Sequence, residues 1–169
     1  MCIIVYQCYN HTMMKNIVCL LLTLCLLQTA MASDPSAKEI KRFDRKAELV
    51  IAKMKHTADS LSVQGVCMIA YIPGTPTGQW ASRMMVVGKM KTGDANLLAI
   101  VYSKAAEMAD TYQNSGSGAR PLLKFECGYK GGRIMARKSG YLIAAFSGGK
   151  DEQDLAISQS GLDELTKVF

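Results

Sequence analysis

The chain has 169 residues, with 20 basic and 14 acidic side chains and a net charge of +6 when histidine is neutral. In a cytosolic protein that excess would suit nucleic acid; in an exported one it points to an anionic ligand or an acidic surface. Two histidines and six cysteines, four of the latter before residue 26, exclude a multi-histidine metal site and a disulfide scaffold in the body of the chain.

The first segment reads as a leader, not as part of a fold. From Met14 the sequence runs "MKNIVCLLLTLCLLQTAMA": a lysine, an apolar core over 17–27, then Ala30-Met31-Ala32. That three-part layout predicts a secretory signal peptide cleaved after Ala32, with translation starting at Met13 or Met14 and residues 1–13 an upstream extension. The apolar core is short for a membrane span, so none is expected in the mature chain. Residues 33–169 then form one domain, placed in the periplasm or secreted. Cys2, Cys8, Cys19 and Cys25 leave with the leader, and Cys67 and Cys127 remain.

A long helix is expected over 38–65, where Phe43, Ala47, Val50, Met54, Ala58 and Leu61 recur at three- and four-residue steps and Gly65 ends it. "VCMIAYI" (66–72) reads as a buried strand, "PGTPTG" as a turn, and "QWASRMMVVGKM" (79–90) as the returning strand. The next helix spans 91–113, with Thr92 or Asp94 as N-cap and Leu98, Tyr102, Ala105, Ala109 and Tyr112 as its buried stripe. Residues 122–149 hold two or three strands, with turns at Lys130-Gly131-Gly132 and Ser139-Gly140. A last helix from Asp151 to about Lys167 buries Leu155, Leu162, Leu165 and Phe169. Short turns between strands imply antiparallel pairing, hence an α+β domain with helices packed on an antiparallel sheet.

"SGGKDEQD" (147–154) invites comparison with a phosphate-binding loop, but the pattern G-x-x-x-x-G-K-[ST] is missing. Asp151, Glu152 and Asp154 fill the first helical turn, where they would repel phosphate while suiting the positive helix end. The stretch therefore reads as a turn and a capped helix start. His56 is the one histidine after the leader, so it would have to be the base for any serine or cysteine nucleophile, and no G-x-S-x-G element accompanies it. It is either an exposed or subunit-contact side chain or an axial ligand to a metal macrocycle. Lys124, Lys130, Arg133, Arg137 and Lys138 form either a solvated strand edge or an anion-binding rim.

"ANLLAIVYSKAAEMADTY" (95–112), "GGRIMARKSGYLIAAFSGGKDEQDLAISQSGLDEL" (131–165) and "SRMMVV" (82–87) together resemble the GlcG/HbpS-like domains, in the same element order. The resemblance covers roughly 45–165. Where that family has a Val-Val-Asp-x-x-Gly hairpin, this chain has "AYIPGTPTGQW". It implies a profilin-like α+β single domain, a homo-oligomer, and a small anionic ligand or haem as partner. On that basis His56 is the candidate haem axial ligand, and Arg83, Lys104 and Arg133 are candidate partners for ligand carboxylates. No catalytic residue and no nucleic-acid partner are expected. The rival expectations are an enzyme or accessory protein acting on a small organic acid in the same cleft, and a structural assembly subunit.

Overall fold

A computed structural model describes residues 35–90, 93 and 95–169. The leader, its cleavage point and the expected caps Thr92 and Asp94 lie outside the described residues.

Helix α1 (Pro35–Ser60) buries Phe43, Ala47, Val50, Met54 and Ala58, the face that the apolar spacing predicts. Leu61, expected on the same face, is 39% exposed, and Ile51 and Val63 are buried instead. The helix end explains the exchange. It closes before Gly65, at Ser62, whose φ of 55° is left-handed. The Ser62 amide donates to Asp59 O (3.0 Å) and the Val63 amide to Ala58 O (2.9 Å), a Schellman closure that folds Val63 back onto the core. Left-handed backbone disfavours any residue with a Cβ. Ser62→Gly is therefore expected to raise stability by roughly 0.5–1 kcal/mol in a thermal or urea melt. A lowered midpoint would mean that the serine side chain holds the turn.

Four strands form one sheet: β1 (Gly65–Ile72), β2 (Ala81–Val87), β3 (Gly132–Arg137) and β4 (Gly140–Ser147), in the order β2-β1-β4-β3. Every pairing is antiparallel, so the α+β architecture expected from the short turns is the one observed. β1 is central and every one of its residues is buried, which is why it reads as an unbroken apolar run. Alternate residues serve two layers. Cys67, Ile69, Tyr71, Leu142, Ala144 and Phe146 face α1 and α3 (Asp151–Val168). Met68, Ala70, Ile72, Ile143 and Ala145 face α2 (Leu97–Thr111) on the other side. Both apolar clusters lie within Ser36–Phe169, one compact unit. No helix among the described residues is long and apolar enough to cross a membrane.

Helix α2 departs from its expected phase. Asn96 is its N-cap, accepting hydrogen bonds from the Leu98 and Ala99 amides. Ala105 and Ala109 are buried as expected, but Leu98 and Tyr102 are 40% and 53% exposed, and Val101 and Met108 are buried in their place. The cause is polar: Ser103, Lys104 and Glu107 are buried too, each with partners, and they draw the helix round by about one residue. In α3, Leu162 and Leu165 are buried as expected, while Leu155 and Phe169 are only half-buried. From Gln113 to Gly131 the chain runs without a strand. The optional third strand at "LLKFEC" does not form, because Pro121 lacks an amide and Phe125 (φ 75°) and Gly128 (φ 66°) turn the backbone out of extension.

Candidate functional site

The end of β4, the start of α3, the middle of α2 and Gly131 meet at a buried cation. Lys104 is 2% exposed; its ammonium donates to Phe146 O (2.8 Å) and to Asp154 Oδ2 (2.8 Å). Asp154, 4% exposed, accepts the Gly149 amide at its other oxygen (2.9 Å). Ser158 Oγ donates to Gly131 O (2.6 Å), which also receives the Phe146 amide (3.2 Å). Each buried polar group here thus has a partner of opposite character. Burial pushes the Asp154 carboxyl above its ordinary range, and Lys104 pulls it only part of the way back.

Gly131 makes the knot possible. Its φ of 120° is open to glycine, and a Cβ there would stand 2.5 Å from Lys104 Nζ and 2.8 Å from Asp154 Cβ.

The Gly-Gly turn is answered by the same geometry. The Gly149 amide goes to Asp154 and the Lys150 amide to Gln153 Oε1 (3.0 Å). Two of the amides that would face a phosphate are thus occupied by the chain's own side chains.

Beside the pair lies a cleft of about 220 Å³, walled by Leu97, Ile100 and Tyr129 and by the backbone of Ser147–Gly149, with Asp151 at its side. An ammonium can donate three hydrogen bonds, and Lys104 spends two on the protein. The third proton has no protein acceptor among the described residues.

The four residues singled out by sequence are not brought together. Arg83 on β2 and Arg133 on β3 lie in one row through Ile69 and Ala144, on the same face, at opposite edges of the sheet. Three strand spacings separate them, roughly 14 Å. Arg83 borders a separate groove of about 250 Å³ shared with Asp44 and Glu48, whose carboxylates oppose an anion. Arg133 is half-buried with its Nε lacking a hydrogen-bond partner, on an edge strand. His56 stands exposed on the outer side of α1, and its carbonyl accepts Ser60 Oγ. Lys104 alone of the four lines the cleft.

Cys67 and Cys127 are free thiols. Cys67 faces the core, and burial pushes its thiol up to about 11, so it is neutral at physiological pH. Among the described residues no group of His, Cys, Asp and Glu is arranged to hold a metal ion. Comparison with family models, with curated proteins and with solved structures finds no match.

Sequence reasoning missed Asp154 as the partner of Lys104, because three acids in one helical turn read alike. Spacing separates only Glu152 from the inward stripe of Asp154, Ile157, Ser158, Gly161, Leu162 and Leu165; Asp151, three residues before Asp154, falls on that stripe and is exposed as the first residue of the helix.

Proposed function

We propose that the domain is an exported small-ligand-binding module of the GlcG/HbpS-like kind, with the Lys104 cleft as its site. The observation that carries this reading is a buried ammonium with one uncommitted proton beside a small, partly apolar cleft. Such a site suits a compact guest that presents one hydrogen-bond acceptor to Lys104 and an apolar body to Leu97, Ile100 and Tyr129. A short-chain hydroxy acid has that shape. Asp154 and Asp151 limit how much negative charge the guest can bring.

Haem at His56 is the other form of the proposal. Its supports are an accessible imidazole and the exposed Lys53 one turn away for a propionate. Against it, the neighbours Ala52, Lys53, Lys55, Asp59 and Ser60 are all exposed, so one chain offers the macrocycle no apolar wall there. The residues of a single chain fit the group poorly, and the cleft is the stronger site.

Amide spectra of the chain from Ser33, titrated with glycolate, lactate and, separately, haemin, test both forms. The expected result is a saturable shift at Tyr129, Gly148 and Gly149 with a hydroxy acid, lost in Tyr129→Ala, whose melt should be unchanged because the ring is 55% exposed. A saturable Soret shift with haemin that vanishes in His56→Ala would move the site to α1. No response to any of the three would remove the ligand reading.

A further inference from the structure

Loops that bury nothing are ordinarily polar, and the segment after Arg120 is not. Leu122, Leu123, Phe125 and Tyr129 are 52%, 55%, 86% and 55% exposed, four large apolar side chains within eight residues. They are held outward by a rigid frame. The Arg120 guanidinium grips both oxygens of Glu126 (2.7 and 2.8 Å) and reaches Asp110 (2.7 Å). The Leu123 amide donates to Glu126 Oε2 (2.8 Å), the Glu126 amide to Leu123 O (3.1 Å), and the Cys127 amide to Ser103 Oγ on α2 (2.9 Å). Through these bonds Arg120 holds the Glu126 carboxyl down to about 2, so it stays ionised and paired. Phe125 sits at φ 75°, a conformation that a residue with a Cβ resists, and still turns its ring to solvent.

The charge on this loop is one-sided. Glu126 is consumed by Arg120, which leaves the exposed Lys124 and Lys130 as its free charges. Lys124 Nζ lies 5.0 Å above the Phe125 ring, so cation and apolar tip share one end of the loop. We infer that the 121–130 loop is a membrane-docking finger: Leu122, Leu123 and Phe125 enter the headgroup–acyl boundary of an anionic phospholipid bilayer, and Lys124 and Lys130 contact its phosphates. Tyr129, half-exposed on the same loop, is of the residue type favoured at a membrane interface. Apolar side chains on a loop that also carries Lys124 and Lys130 fit a bilayer, which yields around them and supplies negative charge. A second copy fits less well, because a two-fold contact through this loop sets Lys124 and Lys130 against their own counterparts on a chain already at +6.

The test uses the chain from Ser33, which retains the whole of both apolar clusters and lacks the apolar leader. Vesicles of phosphatidylcholine with roughly one third phosphatidylglycerol should carry the protein upward in a flotation gradient, about tenfold more tightly than phosphatidylcholine alone. Leu122→Ser/Leu123→Ser/Phe125→Ser and, separately, Lys124→Glu/Lys130→Glu should each cut binding by about tenfold or more, with unchanged melts. Phe125→Trp should shift its emission to the blue on the anionic vesicles and be quenched by lipids brominated on the acyl chain. The inference is overturned by equal flotation of the triple serine variant. It is equally overturned by a Phe125→Trp emission that ignores vesicles, or by a concentration-dependent dimer that the serine variant abolishes while vesicles leave it intact.

Discussion

Lys104→Ala is expected to destabilise the domain by about 3–5 kcal/mol, the cost of leaving a buried carboxylate without its cation. Asp154 would keep the Gly149 amide and lose the ammonium at 2.8 Å, and Phe146 O would lose its donor. The loss should depend on pH in a defined sense. Burial already raises the Asp154 carboxyl, so the folded protein binds that proton more tightly than the unfolded chain does. The group's contribution to stability is therefore complete below the unfolded value, near 4, and fades as pH rises through the folded value. Removing Lys104 removes the one cation that lowers it. The variant should then be most damaged at neutral and alkaline pH, with part of its stability returning near pH 4 as Asp154 takes up a proton. Replacing both partners together, Lys104→Met with Asp154→Leu, should recover much of the loss. Urea melts of the parent, Lys104→Met, Asp154→Leu and the double variant at two pH values give the coupling directly. A Lys104→Ala cost below about 1 kcal/mol would show that water reaches the pair and the burial argument fails.

Gly131→Ala should cost about 2–5 kcal/mol, although alanine is the smallest possible addition. The φ of 120° is nearly closed to residues with a Cβ, which accounts for about 1–3 kcal/mol. Displacing Lys104 Nζ or Asp154 Cβ adds a comparable overpacking term. The two contributions can be separated. If the clash with the ammonium dominates, Gly131→Ala should cost markedly less in the Lys104→Ala background than in the parent protein. Strict additivity would assign the loss to the backbone and to the contact with Asp154 Cβ.

The elements that sequence made legible are those with one kind of side chain on each face. α1 alternates apolar and charged residues cleanly, and β1 is apolar throughout; both lie within a few residues of their expected ends. α2 was harder because its inward stripe is mixed. Lys104 sits between Val101 and Met108 on the buried side, and a rule that sends lysine to water rotates the whole helix. Lys104 was still picked out, as a ligand partner, whereas the structure gives it first to Asp154. Nothing local marks that pairing, since the residues are 50 positions apart and meet only once β4 is in place. Arg83, Arg133 and His56 were drawn from three further elements, and periodicity within an element carries no information on which ends of which elements converge.

The strand order β2-β1-β4-β3 sets a timetable for folding. Each hairpin closes over a modest stretch of chain, but the seam between them joins Val66 to Ser147 and Ile72 to Tyr141. Loop closure across that distance is slow, and nothing local rewards it until both hairpins exist. A chain made from its N-terminus cannot cover the second side of β1 until residue 147 has been made. During that interval the most apolar strand of the protein is an unprotected edge, which favours a chain kept unfolded until it is complete.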